Sequence, residues 1–196
     1  MNGVTLHLGL PEPLRPQAAA LYWQAFGGKL GVVLGPERRA LAFLHRVIDA
    51  DQVIVALSPA GSLLGIAGFK TPLGSFAGGT PADIAALYGP IGGWWRTALL
   101  NLLSRDIDND RFLLDGLCVA SEARNQGLGT ALLLAICDEA ARRGYRAVRL
   151  DVVDSNLRAK ALYARLGFRE IKTDRIGLLR LVFGFASSTT MARDLT

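Results

Sequence analysis

The sequence predicts a mixed α/β (α+β) domain, and three observations support this. Apolar residues make up 51% and charged residues 20% of the 196 residues, enough to fill one core. Residues 111–173 follow a strand–helix–strand pattern, and the long helix Gly127–Arg143 is typical of a crossover between parallel strands. Two β-rich runs between residues 52 and 69 form a hairpin pattern, which adds antiparallel neighbours. Since no linker or internal repeat interrupts the chain, we predict one domain over residues 1–196.

Short strands and helices alternate in the N-terminal half. Helically spaced apolar residues stop at Gly27-Gly28, so the first helix is predicted to end there. Ser58-Pro59-Ala60-Gly61 separates two strand patterns and predicts a turn. The predicted elements are the strands Val4–Leu8, Gln52–Leu57 and Ser62–Phe69 and the helices Gln17–Phe26, Pro36–Asp49, Pro81–Tyr88 and Trp94–Arg105.

The C-terminal half is more regular. The predicted elements are the strands Arg111–Val119, Ala147–Val153 and Phe168–Thr173 and the helices Gly127–Arg143 and Asn156–Leu166. Ser187–Asp194 is a candidate for a last strand, whereas Ile176–Phe185 fits a helix or a strand equally well.

Composition favours a protein of a reducing compartment. No apolar run approaches the roughly 20 residues of a membrane span, and the N-terminus lacks a signal-peptide pattern, so we expect a cytoplasmic protein without a membrane partner. Cys118 and Cys137 lie in apolar surroundings without metal-ligand spacing, so no metal is expected.

Half of the Lys and Arg residues lie between Arg142 and Arg180. They form either a solvated basic face or a positive field for an anionic ligand. No nucleic-acid-binding pattern accompanies that charge.

The most informative segment is LCVASEARNQGLGT, residues 117–130. An apolar strand enters a polar loop and then a helix start that contains Gly127 and Gly129. Glycine lets a backbone approach a ligand closely, and the free N–H groups of a helix N-terminus favour phosphate. Arg124 adds a cation beside this site. The two glycines could also serve only helix–sheet packing.

A dinucleotide-binding turn is the main alternative for this segment. Gly127-Leu128-Gly129 follows a strand, and Asp151 ends the next strand, as in that fold. However, Leu132 occupies the position of the third glycine, and seven residues separate Val119 from Gly127. These departures disfavour the dinucleotide interpretation.

Downstream residues resolve this choice. RNQGLG at 124–129 resembles the (R/Q)-x-x-G-x-G/A acetyl-CoA loop of the GNAT superfamily, and NLRAKALYARLGF at 156–168 resembles that superfamily's N-x-x-A-x-x-x-Y-x-x-x-G-F segment. The two motifs occur in the family's order and at its usual separation, and the resemblance covers about residues 113–173. One departure is Ser121, where many relatives have proline. The resemblance implies a mostly antiparallel sheet of about six to seven strands, a central parallel pair splayed for CoA, and helices on both faces.

The resemblance also implies which residues bind acetyl-CoA, the expected acyl donor. In GNAT enzymes the strand before the loop pairs its main chain with the pantetheine arm, and the following helix N-terminus binds the pyrophosphate. Residues 111–173 would form this acetyl-CoA core. The expected cofactor-binding residues are Leu117, Cys118, Val119, Arg124, Asn125, Gln126, Gly127, Leu128, Gly129, Thr130, Asn156 and Tyr163.

The catalytic groups implied by the resemblance are Tyr163, Asp115 and Asp151. The Tyr163 phenol would protonate the departing thiolate. Asp115, predicted on the same strand face as Leu117, and Asp151, at the end of the adjacent strand, are alternative bases for the acceptor amine, and a water relay could replace both. A covalent intermediate on Cys118 is disfavoured relative to direct attack.

The acceptor amine is not encoded in any motif of the sequence. Residues 1–110 are expected to shape the acceptor side. The leading function is acetylation of a small-molecule or peptide amine; a protein N-terminal or lysine acetyltransferase and a non-catalytic acyl-CoA-binding module are alternatives. A homodimer is left open.

Overall fold

The computed structural model describes residues 3–103, 111–177 and 180–195 of the chain. Strands and helices alternate as the sequence predicts. The strands are β1 Thr5–Leu8, β2 Val53–Leu57, β3 Leu63–Thr71, β4 Gly74–Ser75, β5 Phe112–Val119, β6 Ala147–Val153, β7 Arg169–Arg175 and β8 Ser187–Asp194. The helices are α1 Arg15–Leu34, α2 Glu37–Val47, α3 Pro81–Leu103, α4 Leu128–Arg142, α5 Leu157–Arg165 and α6 Arg180–Phe183.

Within the described residues the strands form one sheet of eight strands in the order β1-β2-β3-β5-β6-β8-β7, with the short β4 paired to β3. Every neighbouring pair is antiparallel except β5 and β6, which run parallel. This confirms the predicted mixed sheet with a central parallel pair. The candidate strand Ser187–Asp194 is confirmed as β8, and it lies between β6 and β7.

The parallel pair separates soon after it begins. β5 pairs with β6 only from Phe112 to Leu114, opposite Val148–Leu150. β5 continues to Val119 while it stays paired with β3 on its other side. The second half of β5 therefore has main-chain groups on its β6 side that no strand of the described residues pairs, as the predicted splay requires.

Helices cover both faces of the sheet, as predicted. A Cβ added to Gly65 of β3 would lie 2.9 Å from Leu132 of α4, whereas a Cβ added to Gly116 of β5 would lie 3.2 Å from Tyr22 of α1. Helix α4 therefore packs on one face and α1 on the other. Glycine at each position lets a helix approach the sheet closely.

The prediction that the first helix ends at Gly27-Gly28 is wrong, because α1 continues to Leu34. Each interior glycine costs about 1 kcal/mol relative to alanine. The buried residues Val33 and Leu34 in the last turn offset that cost. Gly27 also lies under Trp23, where a Cβ would be 2.9 Å from the indole ring. Tertiary packing thus overrides a local stop signal.

The two helices predicted in residues 81–105 are two segments of α3, separated by a kink. Gly89 has a φ of 73°, which breaks the helix, and Pro90 starts the second segment at a position that needs no N–H. The second segment thus begins before the predicted Trp94. A Cβ on Gly93 would lie 2.9 Å from the Cα of Ala85, so the segments cross in close contact. Arg105, the predicted end, lies outside the described residues.

The undecided stretch Ile176–Phe185 contains the short helix α6, and its residues 178–179 lie outside the described part. In the described ranges, none of the helices combines the length and apolar content that crossing a membrane requires.

Candidate active site

The loop before α4 adopts a conformation that only a few residue types tolerate. Asn125 has a φ of 62° and Gly127 a φ of 80°, both in the left-handed region, and Gly127 is the N-cap of α4. The first intrahelical bond runs from the Ala131 N–H to the Gly127 carbonyl at 3.0 Å. The N–H groups of residues 128–130 therefore lack intrahelical acceptors. No side chain of the described residues caps this helix, and its first turn carries no acidic residue.

Side chains of the loop tie it to the end of β5. The Arg124 Nε donates to the Val119 carbonyl at 3.1 Å, and the Gln126 Nε2 donates to the Glu122 carbonyl at 2.9 Å. The Arg124 cation is thus held at the end of β5, four residues before α4 begins, and a cation and an open helix N-terminus both favour an anion.

The predicted cofactor-binding segments meet at Gly129. A Cβ added to Gly129 would lie 3.5 Å from Leu162 of α5 and 4.0 Å from Leu117 of β5. The start of α4, the unpaired half of β5 and the central part of α5 are therefore neighbours. The structure brings together the two motifs that the sequence separates by more than 25 residues.

Asn156 is the N-cap of α5. Its Oδ1 accepts a hydrogen bond from the Ala159 N–H at 3.2 Å, which satisfies one free donor of the helix. This bond fixes the side chain at the start of α5 through its oxygen. The contact of Asn156 with a pantetheine arm stays a prediction.

Tyr163 is buried in α5 against Phe168, with 6.1 Å between the ring centroids. Burial raises the pKa of Tyr163 to about 12, and the nearby Cys118 acts in the same direction. The phenol is therefore protonated at neutral pH, as a proton donor must be. The involvement of Cys118 also indicates that Tyr163 lies close to the unpaired half of β5.

Asp115 lies on the opposite face of β5 from the one that the sequence predicts. The pairing of β3 with β5 shifts from Gly68–Gly116 to Phe69–Leu114, so Asp115 has no partner on β3. This β-bulge reverses the alternation of side chains, and the prediction that Asp115 shares a face with Leu117 is wrong. Asp115 points to the α1 side, where its Oδ2 accepts a hydrogen bond from the Ser75 Oγ at 2.8 Å.

Asp151 lies where β5 and β6 separate, one residue beyond the last parallel pair, Leu114–Leu150. Its carboxylate accepts a hydrogen bond from the Thr190 Oγ1 and lies 3.5 Å from the Arg149 guanidinium. The side chain is 41% exposed. The two predicted carboxylates therefore both flank the point of divergence, but Asp151 already has two partners.

A cavity of about 570 Å³ opens beside Asp115 on the α1 side of the sheet. Its polar groups are concentrated near the sheet, and its helical walls are mostly apolar. The polar lining residues are Tyr22, Lys70, Thr71, Ser75, Thr97 and Asp115, and the apolar side chains include Leu30, Leu34, Phe43, Leu44, Ile84 and Leu100.

Sequence reasoning missed Tyr22 and Ser75. Burial raises the pKa of Tyr22, and the neighbouring Asp115 and Cys118 raise it further, so this phenol lies beside the divergence point. Tyr22 has the helical spacing of a core residue, and Ser75 lies in an irregular glycine-rich stretch. The sequence around Tyr22 and Ser75 therefore carries no pattern that could have identified either residue as part of the site.

Comparison with known proteins gives the family. The model of the acetyltransferase (GNAT) family matches residues 19–168, which is most of the chain. The chain belongs to the acetyltransferase (GNAT) family. The [ribosomal protein bS18]-alanine N-acetyltransferase of Escherichia coli strain K12 is 43% identical over 61 residues, which cover 31% of this chain and 41% of that relative.

Solved structures share the fold of this GNAT-family chain at low identity. A crystal structure described as an acetyltransferase has a TM-score of 0.65 at 19% identity, covering 98% of this chain and 100% of that chain. The yncA protein of Salmonella typhimurium, solved with acetyl-CoA, has a TM-score of 0.58 at 17% identity, covering 100% and 95%.

The Cys118 thiol of this GNAT-family protein is unsuited to covalent catalysis. It is buried, and burial raises its pKa, an effect that Arg124 only partly opposes. Because the thiolate is the nucleophilic form, little of it exists at neutral pH. We expect Cys118→Ala to keep kcat within about threefold of the wild-type value. A loss of a hundredfold, or a trapped acetyl group on this residue in mass spectra of the wild type, would contradict direct attack.

Proposed function

We propose that this GNAT acetyltransferase moves an acetyl group from acetyl-CoA to an amine of a small molecule or peptide by direct attack in a ternary complex. One observation carries the proposal. The unpaired half of β5 has the N-terminus of α4, which favours an anion, near Leu117. At Asp115 the same strand lines a cavity that contains a carboxylate. The donor and the acceptor can therefore approach the same point of divergence from different sides of the sheet.

The donor side suits the parts of acetyl-CoA in order. The N–H groups of residues 128–130 and the Arg124 cation would hold the pyrophosphate. Main-chain groups of Leu117–Val119 on the unpaired edge would bond the amides of pantetheine as an added strand does. The acyl end would then lie near Asp115, with Tyr163 within reach of the sulfur.

The acceptor side supplies a carboxylate that is held in place. Asp115 accepts a hydrogen bond from Ser75 and lines the cavity, so it can hold an ammonium group and take up one of its protons. Asp151 is the second carboxylate at the divergence and could receive that proton instead. We assign the base role to Asp115, since Asp151 is occupied by Thr190 and Arg149.

The transfer requires no covalent enzyme intermediate. The neutral amine nitrogen forms a bond to the thioester carbonyl carbon, and the electron pair of the carbon–sulfur bond leaves with sulfur. Because Asp115 has already taken up one proton of the ammonium, the nitrogen releases its second proton to water, from which the Tyr163 phenolate is reprotonated after the transfer. Tyr163 gives its proton to the departing thiolate, which leaves as free CoA.

An amine panel tests this function directly. Release of free thiol from acetyl-CoA would be measured over alkylamines, arylalkylamines, amino acids and peptides. Because the E. coli relative carries the name of an alanine N-acetyltransferase, peptides that begin with alanine belong in the panel. Thermal stabilisation by acetyl-CoA without thiol release from any acceptor would instead support a non-catalytic binding module.

The assignment of Asp115 as the base predicts that its removal lowers kcat/KM far more than removal of Asp151 does. Asp115→Asn preserves the shape of the side chain but cannot take a proton, so we expect kcat/KM near pH 7 to fall by about 100-fold. Asp151→Asn is the matched variant, with an expected fall of less than about fivefold. A larger loss in Asp151→Asn than in Asp115→Asn would transfer the base role to Asp151.

A further inference from the structure

A second cavity lies along the kink of α3 and shares wall residues with the cavity beside Asp115. Its volume is about 430 Å³, and its lining residues are Pro81, Ala85, Pro90, Gly93, Trp94, Thr97 and Ala98. Pro81 and Thr97 also line the cavity that contains Asp115, so the two cavities share part of their walls. Among these lining residues of the second cavity, none is charged.

The kink creates this second cavity. Gly89 breaks α3 into two segments, and Gly93 allows the second segment to pass close to the first at Ala85. The crossing leaves a groove between the segments, and Trp94 lies along it. The feature depends on backbone geometry, so it is built into the fold.

The walls of the groove are anchored to α1. The Tyr88 phenol donates a hydrogen bond to the Leu34 carbonyl, and the Arg96 Nε donates to the Val33 carbonyl at 2.7 Å. The Arg96 guanidinium also stacks on Tyr88, at 4.3 Å from the ring centroid. Both segments of α3 are therefore fixed against the helix that lines the acceptor cavity.

Large apolar side chains are exposed at the rim of the two cavities. Trp94 is 77% exposed beside the second cavity, and Leu73 is 86% exposed beside the first. Each side chain therefore presents apolar surface at the mouth of its cavity, where an apolar ligand could cover it. Aromatic rings are well suited to covering an apolar ligand.

We propose that the acceptor is an amphipathic primary amine whose uncharged apolar tail lies along the α3 groove against Trp94. The proposal rests on the proposed function, because it takes Asp115 as the site of the amine head. The groove shares the wall residues Pro81 and Thr97 with the cavity of that site, and its lining residues offer no charged partner to a second cationic group. Polycationic acceptors are therefore disfavoured relative to amines with one charge and a long tail.

The test compares acetylation of octylamine with that of ethylamine. Each buried methylene should raise kcat/KM by about three- to fourfold, so the octylamine/ethylamine ratio in the wild type should exceed about 100. Trp94→Ala should lower this ratio by about tenfold. Ile91→Ala is the matched control: Ile91 is 86% exposed on the same helix but lines neither cavity, so the ratio should not change.

Three outcomes would overturn the proposal. The first is a wild-type ratio near one, and the second is a ratio that Trp94→Ala leaves unchanged. The third is a wild-type dimer that Trp94→Ala converts to a monomer in light scattering, since a second copy would then cover the groove.

A failure of the proposed function is distinguishable from a failure of this inference. If no amine releases CoA, calorimetry of octylamine and ethylamine with the CoA-loaded protein still tests the groove. Binding of octylamine at least about tenfold more tightly, with the difference lost in Trp94→Ala, would support the tail site without transfer. Equal affinities for the two amines would overturn it.

Discussion

Tyr163→Phe is expected to lower kcat by about tenfold or more while the affinity for acetyl-CoA stays nearly unchanged. The phenylalanine ring can still pack against Phe168, so the position of α5 is preserved. The variant lacks the hydroxyl that would protonate the thiolate, and general acid catalysis commonly contributes this much or more. Steady-state kinetics give kcat, and calorimetry gives the dissociation constant of acetyl-CoA.

Two further measurements separate this role from a structural one. Tyr145→Phe is the matched control, since Tyr145 packs edge-on against Phe112 and has no assigned role; its kcat should stay near the wild-type value. The pKa of Tyr163 is raised to about 12, so the phenol keeps its proton through pH 10, and wild-type kcat should show no loss from Tyr163 ionisation between pH 7 and 10. An unchanged kcat in Tyr163→Phe would remove the proton-donor role.

Gly127→Glu is expected to abolish the rise in melting temperature that acetyl-CoA produces. The new carboxylate would stand at the N-cap of α4, where the pyrophosphate is proposed to bind, and two anions there would repel each other. Differential scanning calorimetry with and without acetyl-CoA measures the effect. Full binding of acetyl-CoA to this variant would show that the loop does not hold the phosphates.

Gly127→Ala separates charge from backbone strain in the same experiment. A Cβ at Gly127 would meet nothing within 4 Å, but its φ of 80° disfavours any L side chain by about 1–2 kcal/mol. We therefore expect both variants to lose several degrees of melting temperature without ligand. Only Gly127→Glu should also lose the stabilisation by acetyl-CoA.

The order of elements and the position of the candidate anion-binding loop could be predicted from sequence, because both depend on local chemistry. The left-handed conformation at Gly127 follows from a residue type, and the strands and helices follow from the periodicity of apolar side chains. The occurrence of both the RNQGLG motif and the Asn156–Phe168 motif in one sequence indicated the GNAT family. The match to that family over residues 19–168 confirms it.

Other features arise from contacts between distant residues. The continuation of α1 past Gly27-Gly28 depends on the burial of Val33 and Leu34, which no local signal reports. The kink of α3 produces a groove only because Gly93 crosses Ala85 and because Tyr88 and Arg96 hold the helix against α1.

The Arg124–Thr130 loop and the Tyr163 helix were determined by the sequence itself, since glycines, a cation and a spaced aromatic residue carry their chemistry locally. The acceptor side was decided only by the tertiary structure. A single unpaired residue in β5 turns Asp115 from the face of Leu117 to the face of Tyr22 and Ser75. That residue is unpaired because of the register between β3 and β5, and register depends on pairing between distant strands rather than on the strand's own sequence.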